Sequence, residues 1–451
     1  GCRDISLQKF LANSYSYSLQ ILRRTVLGIH RLGSRNQLRF PGLLSVAAVL
    51  SVCLFAPSSG FAQEVFSPDR VQKTIRSDNP EILAAVERLN SARNSEPQSY
   101  LPDKPVLTYE RMTAPGMGGQ GVSHENNLLL TQTIPFPSAL YWRGKVAAGS
   151  IAIAEQEYAA VVRRIAAEAR TGYAQLFAAG KAIDLFAENI DIMRRLASIA
   201  ETKYSIGHAT KSDVLKAQVE VSKMISMRIA LIQEKEIASA RLNALMNRPA
   251  RTPLAVADEY QPSEFSQTAT TYAAATLNYN PSVKAMRLSA EQGGRSLSLA
   301  KSDYYPDIML GYRKRNSSDP DMDGTQDFMF GFSIPLWFSK QRSLVDAAQA
   351  RKNAAELELQ NVSNAALYET QEYFTKASAM RSLLELYKTD IIPQAEEALK
   401  TAESGYQSEK TGFMDLLDAQ RTLLSFKLEY YRYLSEHERW IAELEKTAGK
   451  M

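Results

Sequence analysis

The chain has 451 residues, 45% of them hydrophobic and 23% charged, with 53 Lys/Arg against 49 Asp/Glu and two cysteines. Seven of the basic residues and one acidic residue fall within the first 62 positions, so the remainder is slightly acidic and a basic nucleic-acid surface is excluded. Cys2 and Cys53 fall there as well, which leaves the rest of the chain no thiol for a disulfide, a thiolate metal site or a nucleophile.

From the N-terminus, residues 40–56 form a nearly uncharged apolar run, preceded by Arg31, Arg35 and Arg39 and followed by Pro57-Ser58-Ser59-Gly60-Phe61-Ala62. A basic flank, an apolar stretch and a small-residue exit predict an export signal cleaved after Ala62, so residues 1–62 are set aside as extension and signal peptide. The alternative, a lipoprotein signal acylated at Cys53, is disfavoured by the bulk of Val52 and by the apolar residues after Cys53. Beyond Ala62 no run reaches the roughly 18 apolar residues of a membrane-spanning helix.

The next elements are a short helix after Phe66-Ser67 and a second opened by Asn79-Pro80, then the corner Tyr100-Leu101-Pro102-Asp103. A strand near Val106–Met112 follows, with Leu107 and Tyr109 on one side. A polar loop, Thr113–Glu125, leads to a second strand carrying Leu128, Leu130, Ile134 and Phe136 on one face, interrupted by Gln132. A helix free of breakers for most of its length spans about Ala139–Lys203; at 1.5 Å per residue it reaches roughly 100 Å and must pack as a coiled coil or tunnel wall. A turn at Tyr204–Asp213 returns the chain into a helix over Ser212–Arg248.

The same series then recurs. Phe265-Ser266, Asn280-Pro281, Tyr304-Tyr305-Pro306-Asp307 and Ile334-Pro335 answer their earlier counterparts in order. Tyr406, Asp415, Leu417, Ala419 and Gln420 answer Tyr204, Asp213, Leu215, Ala217 and Gln218 at one constant offset. A collinear series of this kind indicates two copies of one unit, assigned to residues 63–260 and 261–451. In the second copy the strands are Asp307–Lys314, with Ile308, Leu310 and Tyr312 aligned, and Asp327–Leu336. The latter alternates Phe328, Phe330, Phe332, Ile334 and Leu336 against Asp327, Met329, Gly331, Ser333 and Pro335, over the roughly ten residues a tilted membrane strand needs. Tyr141, Trp142, Trp337 and Phe338 follow the strand pairs and suit an interfacial aromatic girdle; a buried sheet edge in a soluble protein is the competing reading. Between these strands, Asp319, Asp321, Asp323 and Gly324 superficially suggest a calcium loop, but Phe330 stands where the bidentate Glu would be. The second long helix, about Lys340–Ser404, contains Pro393, where a kink is expected, and its return helix spans Asp415–Thr447.

Taken together, Tyr204-Ser-Ile-Gly207-His-Ala-Thr-Lys-Ser-Asp213 and Tyr406-Gln-Ser-Glu-Lys-Thr-Gly-Phe-Met-Asp415-Leu-Leu-Asp418 resemble the two periplasmic helix-turn tips of the TolC-like outer-membrane factor family. The resemblance covers nearly all of the chain after residue 62 and leans toward the heavy-metal branch. It implies a mainly α fold with a membrane β-barrel portion: a homotrimer whose four strands per chain close a 12-stranded barrel above a long helical tunnel. It implies as partners a periplasmic membrane-fusion adaptor, an inner-membrane pump and outer-membrane lipid, with no cofactor. By motif position Asp213, with Ser212, and Tyr406 correspond to latch residues, and Asp415 and Asp418 to carboxylates ringing the channel mouth. Ile206, Gly207, His208, Lys410, Thr411 and Gly412 would meet the adaptor. Leu128, Leu130, Ile134, Phe328, Phe330, Phe332 and Ile334 would face lipid. Two departures stand out: Thr411 occupies the position of the family's latch arginine, and Glu409 that of the second tip's glycine. For Asp213 and Asp415 a plain helix-capping role remains open. An enzyme is not expected, since His124, His208 and His437 show no ligand spacing and no nucleophile elbow or phosphate loop occurs. A periplasmic adaptor would need lipoyl-like β-rich halves that are not found here.

Overall fold

The fold begins from two Asn-Pro pairs. In a computed structural model describing residues 65–115, 122–257, 259–264, 267–317 and 323–450, each asparagine caps a helix and also ties down a second one. Asn79 Oδ1 accepts the N–H groups of Glu81 and Ile82 while its Nδ2 donates to the Leu245 carbonyl at 2.7 Å. Asn280 repeats this with Ser282, Val283 and the Thr447 carbonyl at 2.8 Å. Proline at the first helical position needs no N–H partner and completes each start. The expected signal segment 1–62, Phe265-Ser266, Asp319 and Asp321 lie outside the described residues.

The first series of elements is β1 (Val65–Phe66), α1 (Pro68–Asp78), α2 (Pro80–Ser99), β2 (Val106–Pro115), β3 (Val122–Ile134), α3 (Pro137–Ser205) and α4 (Lys211–Leu245). The second is β4 (Ala255–Val256), α5 (Ala269–Tyr279), α6 (Pro281–Ser302), β5 (Ile308–Ser317) and β6 (Gln326–Phe332), then α7 (Phe338–Leu386), α8 (Ile392–Gln407) and α9 (Phe413–Ala448). Helix α3 is one continuous run of 69 residues. Its counterpart is divided by a π-turn, Tyr387–Ile391, between α7 and α8. Pro393 gives the reason: its ring displaces the preceding carbonyls and it has no N–H to return, so the ladder widens just before it. The expected kink is therefore a single wide turn.

Apolar side chains recur along α3 at three- and four-residue steps, Phe186, Ile190, Met193, Leu196 and Ala200, and meet Val214, Ala217 and Met224 of α4 and Leu416, Leu417 and Leu424 of α9. This is a coiled-coil seam. Farther from the turns, Ile165, Tyr173 and Leu176 pack on Leu242 and Met246 together with Val71 and Ile75. The parallel pair β1–β4 joins the two series, with Phe66 opposite Val256.

One buried carboxylate fastens the connection between the series. Glu438 accepts from the Ser263 N–H (2.6 Å), Ser263 Oγ (2.8 Å), the Tyr260 hydroxyl (2.8 Å) and Arg170 Nε (3.0 Å). Arg170 also reaches Glu445 at 2.6 Å. Burial by itself would raise the Glu438 pKa, but hydrogen bonding with His437, the Arg170 charge and the Ser263 bonds outweigh it and hold it at about 2.

Candidate functional site: the two-faced sheet and the paired turns

The four longer strands form one antiparallel sheet in the order β2-β3-β5-β6, leaving β2 and β6 as open edges among the described residues. Its register is regular, so the two side-chain faces can be followed across all four strands. One face carries the row Leu107, Leu130, Tyr312 and Phe328, flanked by Tyr109 with Leu128, by Gln132 with Leu310 and Phe330, and by Ile134 with Ile308 and Phe332. Phe328 is 82% and Phe330 65% exposed, so this apolar face has no cover among the described residues. Contiguous exposure of this kind marks a lipid or protein contact. Gln132 turns its amide to the carbonyls of Asp103 and Thr133, both at 2.8 Å.

The opposite face is polar. Glu110, Asn127 and Arg315 share one row, and Leu129, Arg313 and Asp327 the next. Arg315 joins three strands, with its Nη2 2.6 Å from Asp327 and its Nη1 3.6 Å from Glu125.

Two boundaries differ from the sequence expectation. Strand β6 ends at Phe332, so Ile334 and Leu336 are exposed residues of the following segment and do not extend the strand's apolar row. Ser333 keeps one bond to its register partner, its N–H donating to the Asp307 carbonyl (3.0 Å), but the Asp307 N–H goes to Ser333 Oγ (2.9 Å) instead of the backbone, and Pro335 has no N–H to continue a ladder. The loop expected over Thr113–Glu125 is shorter, because pairing continues through Thr113 with His124 to Pro115 with Val122.

At the other end of the molecule the two turns share one backbone design. The His208 N–H returns to the Lys203 carbonyl and the Lys410 N–H to the Gly405 carbonyl, both at 2.8 Å. This six-residue closure requires a left-handed residue, supplied by Gly207 (φ 83°) and by Glu409 (φ 60°). The non-glycine Glu409 pairs with His208, Oε1 to Nδ1 at 3.0 Å, and so links the two tips. Gly405 is needed on other grounds: a Cβ there would stand 2.6 Å from Thr411 Oγ1.

Asp213 and Thr210 form a capping box, with Asp213 Oδ2 accepting from the Thr210 N–H (3.1 Å) and Oγ1 (2.8 Å). Asp415 likewise accepts the Gly412 N–H at 3.1 Å. Asp415 and Asp418 are both exposed, whereas Tyr406 is buried against Phe413. Among the described residues the Tyr406 hydroxyl has no hydrogen-bond partner, and burial together with the Asp213 charge raises its pKa. Asp213 and Tyr406 are thus neighbours without being hydrogen-bonded. Thr411, at the position of the expected arginine, donates to the Ala402 carbonyl at 3.2 Å. Sequence reading missed Lys203, whose ammonium lies 4.3 Å over the Tyr406 ring and 2.9 Å from its carbonyl oxygen. Only its proximity to Tyr204 at the helix end could have drawn attention to it. Ile206 and His208 are exposed at the first tip, and Ser212 at the start of α4.

Among the described residues no three His, Cys, Asp or Glu side chains are grouped to hold a metal ion, and no helix is long and apolar enough to cross a membrane.

The sheet is thus greasy on one face and charged on the other, and two long helical hairpins carry it. The chain belongs to the outer membrane efflux protein family, whose profile matches residues 71–248 and again 273–450. It is 24% identical over 314 residues to the cobalt-zinc-cadmium resistance protein CzcC of Cupriavidus metallidurans, covering 66% of this chain and 71% of that one. The outer-membrane channel OprN shares its fold with a TM-score of 0.75 at 16% identity, over 93% of this chain and 99% of OprN. The transmembrane channel protein CusC matches with a TM-score of 0.74 at 14% identity, over 85% of this chain and 92% of CusC.

Proposed function

We propose that three copies of the chain close into a 12-stranded barrel in the outer membrane of a Gram-negative cell, continued by a periplasmic helical tunnel. This duct would be the outer component of a tripartite efflux system with an adaptor and an inner-membrane pump. The observation that carries the reading is the four-stranded sheet with two open edges and an uncovered apolar face. Lipid does not tolerate unpaired edges, and edge β6 of one copy against edge β2 of the next would satisfy both. Two repeats, residues 63–260 and 261–451, would each contribute one hairpin and one helical pair.

In this reading Leu128, Leu130, Ile134, Phe328, Phe330 and Phe332 face lipid, and Asp415 and Asp418 repeat around the inner mouth. There they would favour cations. Asp213 and Tyr406 belong to the closed tip, and Ile206, Gly207, His208, Lys410, Thr411 and Gly412 offer the adaptor its contact. Similarity to CzcC favours heavy-metal cations as cargo over drugs or secreted protein. The test is to purify the chain from outer membranes and measure its mass and its conductance in planar bilayers. A conducting trimer is expected; a folded monomer without conductance would refute the assembly. Loss of the gene should sensitise cells to divalent metals, and sensitivity to drugs alone would reject the cargo.

A further inference from the structure

The uncovered face of the sheet changes character at its loop end. Beyond the rows of Leu107 and Tyr109, the same face continues to Arg111 on β2, in register with Asn126 and Asn316, while Lys314 on β5 stands opposite Leu128. Arg111 and Lys314 are both exposed, and among the described residues neither has an ion-pair partner. The contrast with the opposite face is sharp, since Arg315 there is neutralised by Glu125 and Asp327. Two strand spacings and one row separate the two cations, roughly 12 Å between backbones, which two long side chains can span toward one group. Between them the Tyr109 hydroxyl donates to Asn126 Oδ1 at 3.0 Å, which leaves the Asn126 amide N–H groups for an oxygen ligand.

Cations on a lipid-facing strand are tolerated only near the interface, and there they call for anions. We propose that Arg111 and Lys314, with Asn126 between them, dock the phosphate headgroup of an anionic lipid at the loop-side rim of the barrel. The apolar rows below would take that lipid's acyl chains. Guanidinium binds phosphate oxygens in pairs and ammonium adds a point charge, so a phosphomonoester is preferred over a zwitterionic headgroup. This inference rests on the channel reading above.

The experiment places the full chain in phosphatidylcholine vesicles and measures, by electron spin resonance, the association of spin-labelled phosphatidic acid relative to spin-labelled phosphatidylcholine. Pore conductance is recorded on the same preparation. Phosphatidic acid should associate roughly thirtyfold more strongly, from two interfacial basic residues. The double variant Arg111→Gln, Lys314→Gln should bring the ratio near one, whereas Lys104→Gln, at the other end of β2, should leave it unchanged. Equal association in the wild type, which needs no variant, or a preference that survives the double variant, overturns the headgroup site. Pores without a preference would defeat this inference alone, and absence of pores in either lipid would defeat the channel reading.

Discussion

Lys203, in the last turn of α3, sets its ammonium 4.3 Å above the ring of Tyr406 and 2.9 Å from its carbonyl oxygen, so one side chain fastens the turn of the first repeat to that of the second. A partly shielded cation–π contact contributes about 1 kcal/mol, and the hydrogen bond a similar amount. Lys203→Met should therefore raise the resting conductance of reconstituted channels, and Lys203→Arg should restore most of the closure. Channels that stay as tightly shut with methionine would show that the contact plays no part in the gate.

Glu409 holds a left-handed conformation that costs a non-glycine residue roughly 1 kcal/mol, and its carboxylate pairs with His208 across the tips. Glu409→Gly relieves the backbone and removes the pair. Thermal stability should hold or rise slightly while the resting conductance increases. His208→Ala removes the pair alone and should increase conductance without the gain in stability. A fall in both measures for Glu409→Gly would contradict this division.

Asp415 and Asp418 separate by the same logic. Asp415 caps the Gly412 N–H, so Asp415→Ala should cost about 1 kcal/mol of stability as well as cation selectivity. Asp418 is exposed within α9 and makes no cap, so Asp418→Ala should stay within about 0.5 kcal/mol and shift only the reversal potential. Unchanged reversal potentials in both variants would place the ion-selective section elsewhere in the duct.

Glu438 supplies a pH dependence. Its folded pKa of about 2 lies below the ordinary value of 4.5, so its stabilisation is fully present above pH 4.5 and is lost as the pH falls from there toward 2. Thermal melts should show that decline in the wild type and a smaller one in Glu438→Gln. The variant should itself lose about 3 kcal/mol at neutral pH, because Arg170 is left in a buried site without its full partner. A melting profile as steep in the variant as in the wild type would assign the acid sensitivity to other carboxylates.

Much of this architecture was legible in the sequence because its devices are local. Asn79-Pro80 and Asn280-Pro281 announce helix starts, and the phenylalanines at 328, 330 and 332 announce a strand by their period. Less legible was whatever depends on partners distant in the chain. Nothing in the sequence shows that the same asparagines hold the ends of α4 and α9, or that Glu438 gathers Arg170, Tyr260 and Ser263. Alternation alone carried the strand too far, to Ile334 and Leu336, because it does not register that Ser333 Oγ takes the Asp307 N–H from the ladder just before Pro335. At the tips the capping bonds of Asp213 and Asp415 and the neighbouring Lys203 emerge only from geometry.

The central claim is that this sheet is a section of barrel wall, one face in lipid and the other lining a pore. Adjacent residues of β6 test it most directly, because Phe330 and Met329 lie on opposite faces of the same strand. Outer-membrane insertion and single-channel conductance should be measured for Phe330→Arg and Met329→Arg side by side. Arginine at 330 should sharply reduce insertion, since a cation near the bilayer midplane costs about 2 to 4 kcal/mol, while arginine at 329 should insert normally and change conductance or selectivity. Equal insertion with unchanged conductance in both variants, or the reverse assignment of the two defects, would contradict the account.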